Sequence, residues 1–79
     1  MSAPNFYLVR PLDEASGEPY GYAIGHIDGH GPRDFRAHWY AAPEPGDEHP
    51  VRVICVGKFA TKDEAAHAIR RARRYGPPN

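Results

Sequence analysis

The stretch from Val51 to Ala66 constrains the fold more than any other part of the chain. Val51-Arg52-Val53-Ile54-Cys55-Val56 has the β-branched content of a strand. Gly57-Lys58-Phe59-Ala60 turns the chain, and Thr61 opens a helix. Thr61 stands three residues before Glu64, the spacing of a reciprocal capping box that satisfies orphan amides at a helix start. Ala65, Ala68, Ile69 and Ala72 follow at helical spacing, and Gly76-Pro77 ends the run. A strand, a tight turn and an alanine-faced helix over 62–75 are therefore expected as one unit.

The rest must be small. Seventy-nine residues allow one domain, and a chain of that size buries only about 60% of its unfolded surface. Cys55 is the single cysteine, so no disulfide forms within the chain. Set among Val and Ile, it reads as a small buried hydrophobe, which suits a reducing cytoplasm. Met1-Ser2-Ala3-Pro4 lacks the basic and apolar regions of a signal peptide, and no run approaches membrane-spanning length.

Net charge is zero but unevenly spread. Residues 1–57 hold four Arg against eight Asp or Glu, giving −4, and residues 58–79 hold six Lys or Arg against two acids, giving +4. Zero net charge argues against a simple polyanion binder and leaves room for a local basic patch.

Three further strands are expected, over about 5–10, 20–27 and 35–42, with the fourth over 51–57. Pro11 ends the first. Asp28-Gly29-His30-Gly31-Pro32 reads as the turn between the second and third. Pro43 to Pro50 is a loop unsuited to a sheet interior. The fold class is α+β: a three- to four-stranded antiparallel meander packed on one C-terminal helix.

Period-two alternation assigns Phe35, Trp39, Val51, Val53 and Phe59 to the core. Arg36, His38, Tyr40, Arg52, Ile54 and Val56 then lie on the opposite, open face. Tyr22, Ile24 and His26 are expected to join them, with Ala23 and Gly25 under the helix.

Chemistry-bearing clusters are few. His26, Asp28 and His30 are the nearest approach to a ligand set, and no metal or other cofactor is expected. No Ser, His and Asp arrangement has motif spacing. Gly21, Gly25, Gly29 and Gly31 precede no helix, so they form no phosphate loop. A thin sheet offers little concavity for a small-molecule substrate. The chain is read as a non-enzyme. Arg70, Arg71, Arg73 and Arg74 exceed what helix capping requires, and they point to nucleic acid or an acidic surface.

Gly57-Lys58-Phe59-Ala60-Thr61-Lys62-Asp63-Glu64-Ala65 resembles the strand-to-helix turn of the arm-type DNA-binding domain of tyrosine recombinases. It is also similar to that of the plant ethylene-response-factor domain. The resemblance implies a sheet whose open face enters the DNA major groove, with Arg36, His38 and Arg52 at the contacting positions. The acidity of residues 1–57 supports an alternative: a small phage-type inhibitor, like the anti-CRISPR proteins, that covers a host complex's nucleic-acid-binding surface. On either reading the partner is a macromolecule, with no membrane, and the protein is a monomer or weak dimer.

Overall fold

A computed structural model describes residues 5–48 and 50–76. Met1–Pro4, His49 and Pro77, each used in the sequence reading, lie outside the described residues. Four strands, β1 (Asn5–Val9), β2 (Gly25–Gly31), β3 (Asp34–Ala41) and β4 (Arg52–Phe59), precede helix α1 (Lys62–Tyr75). The strands form one antiparallel sheet in the order β1-β2-β3-β4, and α1 crosses a single face of it, against β2, β3 and β4. The expected α+β meander is the observed fold.

The helix start follows its sequence. The Glu64 amide donates to Thr61 Oγ1 at 3.1 Å, and the Thr61 hydroxyl donates to Glu64 Oε1 at 3.0 Å. The Glu64 carboxylate thus meets the capping hydroxyl rather than the Thr61 backbone amide of the reciprocal box. Asp63 and Glu64 in the first turn and Arg73 and Arg74 in the last complement the helix dipole. Gly76 caps the other end, its amide donating to the Ala72 carbonyl at 2.8 Å.

The core is small. Val9, Ile27, Ala37, Val56, Ala65, Ile69 and Ala72 are buried together, and among the described residues only Ile27 and Ile69 are large and fully buried. Burying Ile69 contributes about 2 kcal/mol. Alanines elsewhere on the helix let its backbone lie close to the sheet. Tyr7, Phe35, Trp39, Ile54 and Phe59 close the margins.

Two strand assignments need correction. The second strand runs over Gly25–Gly31, not 20–27. Within the segment expected to be a turn, Asp28 and Gly29 pair with β1 on one side and β3 on the other, Gly31 pairs with Asp34 of β3, and only Pro32 and Arg33 turn the chain. Glycine's low strand propensity hid this. Pairing on both flanks outweighs it. Residues 10–24 instead form an excursion closed by a Leu12–Pro19 bridge. Arg70 Nε donates to the Arg10 carbonyl at 3.0 Å and Arg74 pairs with Glu14 at 2.8 Å, tying that excursion to the helix.

The second correction concerns β4. His38 pairs with Cys55 while Ala37 pairs with Gly57, so Val56 is the extra residue of a β-bulge. Ile54 and Val56 face the helix. Val51 and Val53, expected in the core, are 43% and 55% exposed. Cys55, expected to be buried, is exposed.

Candidate binding face

Antiparallel pairing puts residues from all four strands into transverse rows on the face away from the helix. Phe6, Asp28, Arg36 and Lys58 form one row, and Leu8, His26, His38 and Cys55 the next. Tyr40 and Val53 stand beyond them. Residues directly opposite across strands lie on one face, so the rows follow from register alone.

The centre of this face is a hydrogen-bonded aromatic and acidic cluster. The Phe6 ring stacks on His26 at 4.9 Å between centroids, and His26 stacks on His38 at 4.6 Å. Asp28 Oδ2 lies 3.5 Å from His26 Nε2 and 3.2 Å from His38 Nε2. The Tyr40 hydroxyl is 2.7 Å from His26 Nδ1. Burial pushes the His26 imidazole below its ordinary pKa. The Asp28 carboxylate opposes that shift and the His38 ring adds to it. Burial, with the Asp28 charge behind it, raises the Tyr40 phenol above its usual range.

Around this centre the surface is apolar. Phe6, Leu8 and Val53 are 52%, 62% and 55% exposed. Arg36 pairs with Asp34 at 3.3 Å, which holds the Asp34 carboxyl below its ordinary value through the Arg36 hydrogen bond. Lys58 completes the cationic side of the face.

Of the residues expected on this face, Arg36, His38, Tyr40 and His26 lie there. Arg52 does not. It pairs in register with Ala41, on the helix side of the sheet, and its guanidinium meets Glu44 at 2.9 Å. Ile54 and Ile24 pack against the core instead, and Tyr22, 95% exposed, stands outside the strands. Among the basic helix residues, Arg70 and Arg74 are engaged by the 10–24 excursion. Arg71 and Arg74 also lie over the Tyr75 ring. Arg73 is exposed.

His26 and Asp28 come together with His38, not with the expected His30. The register shift between Gly29 and Gly31 leaves His30 unpaired and exposed. Sequence reasoning missed Phe6, Leu8, Lys58, Val53 and Cys55. The bulge concealed Val53 and Cys55, whereas Lys58 keeps the phase of the expected open-face positions and was not singled out. On β1 both alternating sets are apolar, so alternation gave no face.

On the other side, an open groove of about 610 Å³ runs between α1 and β4, lined mainly by Val56, Phe59, Ala68, Ala72 and Tyr75. The thin sheet was not expected to supply such concavity. Asp63, Glu64, His67 and Arg71 edge it.

No family model, no curated protein and no solved structure matches the chain. No helix among the described residues is long and apolar enough to cross a membrane.

Proposed function

We propose that this chain is a non-enzymatic binding protein that docks a partner protein on the open face of its sheet. The observation that carries this reading is the exposure of Phe6, Leu8 and Val53 around a hydrogen-bonded polar centre. An apolar surface with a few placed polar groups suits a protein interface. The charge on the face is close to balanced, with Arg36 and Lys58 set against Asp28 and Asp34. Affinity for a phosphate backbone rests on several free cations, and two of the four helix arginines are engaged within the chain. A partner with an apolar patch bordered by charges of both signs fits best. An inhibitor that covers a host protein's nucleic-acid-binding surface falls within this reading, its acidic loops meeting that surface's cations. The exposed, unpaired Cys55 suits a reducing compartment.

One observation favours nucleic acid as a second reading. Lys58 stands beside Arg36 in the Phe6–Asp28 row, and Arg33, Lys58 and Arg73 make no ion pair among the described residues.

Affinity capture from nuclease-treated lysate of the source cells separates the two. The wild type and an Arg71→Glu/Arg73→Glu variant should retain the same partner protein, and a Leu8→Glu/Val53→Glu variant should lose it. Retention by the face variant contradicts the protein reading. Loss of the partner on nuclease treatment, with salt-sensitive binding to a labelled oligonucleotide, would establish the second.

A further inference from the structure

We infer that His26, Asp28 and His38 form a binding site for one divalent first-row transition ion, Zn²⁺ above all. Their three donor atoms lie within 4.8 Å of one another. The two donor pairs that involve Asp28 Oδ2 are 3.5 and 3.2 Å apart. An ion bound at about 2.0–2.2 Å in tetrahedral geometry wants its donors roughly 3.4 Å apart, so the Asp28 separations already match. The two histidine nitrogens lie within the same 4.8 Å and draw together as the ion binds.

The donors stand on a rigid base. His26 and Asp28 are two apart on β2 and so share a face, and His38 is the cross-strand partner of His26 on β3. Both strands are central in the sheet, and the Phe6 ring holds His26 from the other side. The second layer is present too. Metal-bound histidines commonly donate their other ring N–H to an oxygen. The Tyr40 hydroxyl sits 2.7 Å from His26 Nδ1 and can accept that proton, leaving Nε2 bare toward the ion.

Two imidazoles and one carboxylate select against Mg²⁺ and Ca²⁺, which prefer all-oxygen shells. The donors lie on an open sheet surface, so water or a partner's side chain fills the fourth position. Cys55 is the register neighbour of His38 but is not among the clustered donors. With the ion bound, the centre of the face changes from a single negative charge to a net positive one.

Calorimetric titration of the untagged, chelator-treated protein with Zn²⁺ tests this. One ion per chain is expected, with Asp28→Asn and His38→Asn each weakening binding at least tenfold. Tyr40→Phe should weaken it about tenfold through the lost second layer, and His30→Asn should leave it unchanged. In case a variant fails to fold, Zn²⁺ added to the wild type should shift the His26 and His38 imidazole NMR signals and leave His30 in place. No heat of binding, binding unaffected by His38→Asn, or binding abolished by His30→Asn would overturn the site.

Discussion

Gly25 lies directly beneath Ile69: a Cβ built on Gly25 would come within 2.7 Å of the Ile69 Cγ2 atom and would collide with the His38 carbonyl. The helix therefore rests on the sheet through the absence of a side chain. Gly25→Ala should cost about 1–3 kcal/mol by overpacking. In a domain this small that lowers the melting temperature by several degrees, about 4–8 °C per kcal/mol. A thermal melt matching wild type would show that the helix does not sit where the structure places it.

The β4 bulge sorts its valines, and truncation reads the sorting. Val56 is 7% exposed in the core cluster and Val53 is 55% exposed on the open face. Val56→Ala should lose roughly 1–3 kcal/mol in urea unfolding, while Val53→Ala stays within about 0.5 kcal/mol. The reverse order would restore the unbulged alternation.

Removal of the helix cap should be felt throughout so small a fold. Thr61→Ala deprives the Glu64 amide of its acceptor and should cost about 1 kcal/mol. Thr61→Ser keeps the hydroxyl and should recover most of that loss. Equal melting of the two variants would deny the cap a role.

Acid titration reports the Arg36–Asp34 pair. The Arg36 hydrogen bond lowers the Asp34 pKa, so the pair's contribution is present above the unfolded aspartate value. It is lost as pH falls through the lower folded value. The pair is exposed, so that contribution is small. In Arg36→Ala the Asp34 carboxyl carbon should titrate at a higher pH than in wild type. An unchanged NMR midpoint removes the pairing.

The helix and its cap were legible because Thr61, Glu64, Ala65, Ile69 and Ala72 act through local spacing that no distant partner alters. The meander was legible for the same reason, although the second strand starts at Gly25 and not at residue 20. Val56 was not, because a bulge is a property of pairing and leaves no mark on the bulged strand's own alternation. Glycine misled at Asp28 to Gly31, where a glycine-rich strand end was read as a turn, while Gly25 lies under the helix as its place in the alternation implied. The candidate site was half visible. Arg36, His38 and Tyr40 follow from alternation on one strand. The meeting of His26 and Asp28 with His38, and of Lys58 with Arg36, depends on register between strands, which composition does not encode.

The central claim is that the open sheet face carries the partner, and the chain's own cysteine gives the most direct test. Cys55 is exposed and stands beside His38 in register, so a photoactivatable maleimide placed on it reports what covers that face. A control carries the same label on the helix, as Arg73→Cys in a Cys55→Ser background. Irradiation in source-cell lysate should give one defined protein adduct from the Cys55 label and none from the helix label. An adduct formed only from the helix position would contradict the account.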